Sequence, residues 1–123
     1  MAFLTDRKRA SGMGAAHSGT EHHWQMIVTS VALLILIPAF IFTFGSALGR
    51  PYEEVLAYYA RPMPSLIAAL TFLVGFFHFR KGVQTLIEDY THGLTRKALI
   101  IGMICLSYGA AALGVLSVLR LAV

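Results

Sequence analysis

The sequence predicts an all-α membrane protein with three transmembrane helices, and three observations carry that prediction. Of its 123 residues, 57% are hydrophobic and only 13% charged, whereas a soluble domain averages about 45–50% and 25%. Mean hydropathy is +0.69. The apolar residues fall in three long runs separated by charged or proline-bounded segments, with no internal repeat. The chain therefore reads as an N-terminal tail over residues 1–25 and one membrane domain over 26–123, with spans about 26–48, 64–88 and 97–120.

The tail carries Asp6-Arg7-Lys8-Arg9 and then a Gly/Ala/Ser-rich run. No apolar core precedes a small-residue cleavage site, so a cleaved secretory signal is not expected and the segment reads as a mobile or surface-docked tail. Met26 to Gly49 contains no charge and exceeds the roughly 20 residues that cross a hydrocarbon core of about 30 Å. Pro38 in its middle removes a backbone donor and is expected to kink the helix, which membrane helices tolerate. The segment Arg50 to Pro64 is amphipathic and bounded by prolines. It predicts a short surface helix that places Tyr52, Tyr58 and Tyr59 at an interface.

The second span needs a length argument. Ser65 to Phe79 is uncharged, but at about 1.5 Å per residue it covers only about 22 Å, short of the hydrocarbon thickness. The helix must continue past Arg80 and Lys81, whose long stems can snorkel, until Glu88 and Asp89 mark the surface. Ala98 to Leu119 then forms the third span without a charge. Its small-residue stripe, Ser107, Ala110, Ala111 and Gly114, lets another helix approach closely. Cys105, the single cysteine, has no intrachain partner and reads as a buried, inert thiol.

The net charge of +4 reports orientation and not nucleic acid, because the basic residues flank the spans. Arg7, Lys8, Arg9, Arg80, Lys81, Arg96 and Lys97 lie on one side, against Arg50, Arg61 and Arg120 on the other. This asymmetry predicts a cytoplasmic N-terminus and a C-terminus facing out.

His78 is the one histidine of five that falls in an apolar run. An ionisable side chain at membrane depth is costly and by default marks a functional site, and imidazole is a common metal ligand. At about 100° per residue, Asp89 projects within about 20° of His78, while Gly82 and Gly75 flank it by about 40° and 60° and leave a notch that a flat macrocycle could fill. Haem iron takes an axial imidazole readily, and Arg80 or the basic cluster at this end could answer its propionates. His17, His22, His23 and His92 all lie in the flanks. The residues alone leave two readings: a packed histidine bonded to a neighbouring helix, or a metal site completed by another chain. Asp89 and Tyr90 likewise suit plain interfacial anchoring.

The pattern His78-x-x-x-Gly82 followed by Asp89-Tyr90 resembles the small membrane-anchor subunits of succinate dehydrogenase, respiratory complex II. The fuller strings His78-Phe79-Arg80, Ile87-Glu88-Asp89-Tyr90-Thr91-His92-Gly93, Ser18-Gly19-Thr20 and His22-His23-Trp24 are similar to the alphaproteobacterial and mitochondrial branch. The resemblance implies a multi-pass subunit of the bacterial inner membrane, in a heteromeric bundle with a large cytochrome b-type anchor, an iron–sulfur subunit and a flavoprotein that oxidises succinate. It implies a haem b with His78 as one axial ligand and the partner anchor supplying the other. It also implies ubiquinone reduction near Tyr90, whose phenol would bond a quinone carbonyl, with Asp89 as a candidate proton carrier or as a group that tunes Tyr90 and pairs with a partner arginine.

One departure stands out. That branch commonly carries an arginine shortly after the histidine-tryptophan segment, placed to meet a haem propionate, whereas this chain reads Trp24-Gln25-Met26-Ile27-Val28. Arg80, His22 or a partner residue are the candidates to replace it. Two other functions compete: a cofactor-free membrane scaffold or transport-associated protein, and the anchor of a menaquinone-linked fumarate reductase.

Overall fold

The computed structural model describes residues 3–14 and 18–123. His17, which the sequence places in a flank, lies outside the described residues. The elements are helices throughout: α1 (Asp6–Ser11), α2 (Gly19–Ala47), α3 (Tyr52–Tyr59), α4 (Pro62–Tyr90) and α5 (Gly93–Ala122). Three of them, α2, α4 and α5, are long and apolar enough to cross a membrane, in accord with the three predicted spans.

Local chemistry explains where each helix starts and stops. The Thr5 hydroxyl caps α1 by accepting from the Lys8 amide at 3.3 Å, which satisfies one of the free donors at a helix start. Helix α2 begins at Gly19, ahead of the uncharged run, and Gln25 donates to Glu21 one turn back at 3.2 Å. It continues through Pro38 and ends where Gly49 takes φ +76, a left-handed conformation that costs glycine little. Helix α4 starts with Pro62 in its first turn, where the missing N–H would have had no partner anyway. It runs unbroken past Arg80 and Lys81 to Tyr90, as the length argument required. Its end is held from outside, because Arg96 donates to the Thr91 and Glu88 carbonyls at 2.8 and 2.7 Å, placing a cation at the negative end of the helix.

Helix α4 is the central element. It packs along α5 on one side and α2 on the other, while α2 and α5 make no close backbone approach to each other. The α4–α5 seam uses the small-residue stripe: Ser107 and Ala111 are buried, and the Phe72 ring occupies the space beside Gly114. The α2–α4 seam is antiparallel, and four contacts fix its register. Leu33 meets Gly75, Thr29 meets His78, Met26 meets Gly82 and His22 meets Thr85.

Away from His78, Ala47, Tyr59, Ala68 and Val118 form the buried cluster, with Phe40 and Phe72 against it. Helix α3 is the short helix expected between the first two spans, and Tyr52 is exposed on it. Tyr59 turns inward and closes this end of the bundle at 4% exposure. Burial, with Tyr58 adjacent, raises its phenolic pKa above the ordinary value. Cys105 also departs from expectation: it is exposed on α5, because the helix turns Met103, Ser107 and Ala111 inward and leaves position 105 on the outer face.

Candidate functional site

His78 sits on the α2–α4 seam. Its Nδ1 lies 2.8 Å from the Thr29 hydroxyl, and that hydroxyl donates in turn to the Gln25 carbonyl at 2.8 Å, with the Met26 carbonyl at 3.2 Å. Nε2 makes no hydrogen bond among the described residues. The imidazole lines a cleft of about 500 Å³ with Ser30, Leu33, Leu34, Ile37 and Pro38. Leu34 and Ile37 are themselves exposed, so the cleft opens onto the outer side of the bundle. An apolar wall with one nitrogen electron pair suits a buried metal macrocycle bound through a single axial ligand from this chain.

The glycine notch is filled differently from the expectation. A Cβ on Gly82 would lie 3.9 Å from Met26 Cε, and one on Gly75 would lie 4.0 Å from Leu33 Cδ2. These glycines therefore seat α2, and the open surface beside His78 is the cleft toward Leu34 and Ile37. Among the described residues no group of three His, Cys, Asp or Glu could hold a metal ion alone.

Arg80 points the other way. Its Nη1 donates to the Tyr108 hydroxyl on α5 at 3.0 Å, and its guanidinium carbon lies 5.3 Å from the Tyr108 ring centroid. Two residues along a helix turn the side chain by about 200°, so α4 separates Arg80 from the seam that holds His78. Its Nε is buried with no hydrogen-bond partner among the described residues. His22, by contrast, shares the His78 seam: its Nε2 is 3.2 Å from the Thr85 hydroxyl. Thr85 lies seven residues beyond His78, about 10 Å toward the Asp89 end.

Asp89 and Tyr90 end α4. Both are exposed, Tyr90 at 79%, and neither makes a side-chain hydrogen bond or ion pair among the described residues. A free phenol and a free carboxyl at one helix end can bond a carbonyl and carry a proton. Thr29 and Tyr108 are the partners that sequence reasoning missed. The one signal for Thr29 in the sequence is a hydroxyl within an apolar run, a feature it shares with Ser30, Thr43 and Ser46.

Residues 2–118 match the family model of the succinate dehydrogenase/fumarate reductase transmembrane subunit. The chain is 45% identical over 121 residues to the succinate dehydrogenase hydrophobic membrane anchor subunit of Paracoccus denitrificans, covering 98% of this chain and 94% of that one. No solved structure matches it. Two long matches that agree with each other and with a three-span helical architecture place this chain in the succinate dehydrogenase/fumarate reductase transmembrane subunit family, as a membrane anchor subunit of that oxidoreductase.

Proposed function

We propose that this subunit, with a large cytochrome b-type anchor, holds a b-type haem and builds the ubiquinone-reduction site of a succinate:ubiquinone oxidoreductase. The observation that carries the reading is the split environment of His78: Nδ1 is engaged in the seam with Thr29, and Nε2 is left for a ligand beside an apolar cleft. His78 would hold the iron from this chain, and a residue of the partner anchor would complete the site. A haem held there would provide a one-electron carrier within the membrane.

The other roles follow from position. The flavoprotein oxidises succinate, and the iron–sulfur subunit docks where α4 ends, on the cytoplasmic face of the bacterial inner membrane. Reducing ubiquinone takes two electrons and two protons, and donors already in place stabilise charge as it grows on the carbonyl oxygens. Tyr90 donates its phenolic hydrogen bond to one carbonyl, and Asp89 carries a proton to it. His22, on the His78 seam, is the better placed replacement for the missing first-span arginine. Arg80 serves the α5 side through its hydrogen bond to Tyr108.

The test is a reduced-minus-oxidised optical spectrum of the purified complex. A b-type band present in the native enzyme and absent from His78→Ala is expected. A native complex with no b-type band would support a cofactor-free scaffold instead. Rates with quinones of different potential separate a ubiquinone reductase from a menaquinone-linked fumarate reductase.

A further inference from the structure

The Thr29 hydroxyl has one proton and three neighbours: the Gln25 carbonyl at 2.8 Å, the Met26 carbonyl at 3.2 Å and His78 Nδ1 at 2.8 Å. Carbonyls only accept. If the hydroxyl proton went to Nδ1, two oxygens would face each other at 2.8 Å with no proton between them. The proton therefore goes to Gln25, the arrangement that Thr43 and Thr71 also adopt toward the carbonyls four residues back, at 2.9 and 2.7 Å. The Thr29 oxygen then presents a lone pair to His78, and Nδ1 must supply the proton. Ser30 does not compete, because its hydroxyl donates to the Met26 carbonyl at 2.7 Å.

We infer that Thr29 is a positioning residue that fixes His78 as the Nδ1–H tautomer and so presents the Nε2 electron pair to a metal; the inference rests on the haem reading above. The bond spans two helices, so it also sets the rotation of the ring against α2. Hydrogen bonding from the far nitrogen of a ligating imidazole strengthens it as a donor and fixes its orientation. A stronger donor favours the oxidised metal, so loss of the bond raises the reduction potential.

The experiment compares Thr29→Val, which has nearly the same shape without the hydroxyl, and Thr29→Ser, which keeps it, in the intact complex. The readouts are the haem midpoint potential by redox titration and the electron paramagnetic resonance spectrum of the oxidised haem. An upward shift and altered g-values in Thr29→Val, with native values in Thr29→Ser, support the inference. Haem lost from the valine variant and kept by the serine variant supports it equally. Native values in Thr29→Val, or the same displacement or loss in both variants, assign Thr29 to packing and overturn it. A native complex without a b-type band removes the haem reading and this inference together, and that is known before either variant is made.

Discussion

Arg80 of α4 and Tyr108 of α5 are joined twice, by a 3.0 Å hydrogen bond from Nη1 to the phenolic oxygen and by a guanidinium 5.3 Å from the ring centroid. A charge within an apolar span is costly unless something meets it, and here a tyrosine on the neighbouring span does so. Removing the hydroxyl in Tyr108→Phe leaves the stacking and deletes a charge-assisted bond, with an expected loss of about 1.5 kcal/mol. Tyr108→Leu removes the ring as well and should cost about 1 kcal/mol more. Detergent-induced unfolding of the complex measures both. Equal midpoints for the native and phenylalanine proteins would show the bond to be idle.

Much of this arrangement was legible in the sequence, and the part that was not has a physical reason. Hydropathy and length sufficed for three spans and for α4 running past Arg80, because a helix that stops at Phe79 cannot cross the core. A lone histidine at depth stood out for the same energetic reason. Partners across seams did not, because the pairings of Thr29 with His78, 49 residues apart, and of Arg80 with Tyr108 depend on which face each helix turns inward. The same limit hid the exposure of Cys105 and the burial of Tyr59, which are set by helix rotation and by how the chain closes the far end of the bundle.

The α4–α5 seam has one position with no room. A Cβ on Gly114 would stand 2.7 Å from the Phe72 ring, whereas Cβ atoms on Gly75 and Gly82 would meet α2 at ordinary contact distance. Gly114→Ala should therefore destabilise the subunit by about 1–3 kcal/mol, in the range of overpacked cores. Gly75→Ala and Gly82→Ala should change it little. Adding Phe72→Leu to Gly114→Ala makes room and should recover part of the loss. If all three single alanine variants unfold at the native midpoint, the seam is looser than the geometry states.

Tyr90 and Asp89 should be separable from succinate oxidation. On the proposed reading Tyr90→Phe removes a donor to the quinone carbonyl, and losses of on the order of 10²-fold are typical for such donors. On the same reading Asp89→Asn removes the proposed proton carrier, with a similar expected loss. Quinone reduction should fall in both variants, while succinate-driven reduction of a soluble dye and the haem spectrum stay native. Asp89→Glu should retain most of the rate. Native quinone turnover in both Tyr90→Phe and Asp89→Asn would return these residues to simple interfacial anchoring.

The replacement for the first-span arginine can be decided from which side of α4 each candidate occupies. His22 lies against Thr85 on the seam that carries His78, while Arg80 is committed to Tyr108 on the α5 side. A group meeting a haem propionate tunes the metal through charge and hydrogen bonding, and removing it changes the potential. His22→Leu should therefore shift the haem midpoint potential or lower haem occupancy. Arg80→Leu should leave the potential native and act on stability through the lost Tyr108 contact. Redox titration of the two variants beside native enzyme makes the comparison. A potential that moves in Arg80→Leu and not in His22→Leu would reverse the assignment and require the Arg80 side chain to leave Tyr108 in the assembled complex.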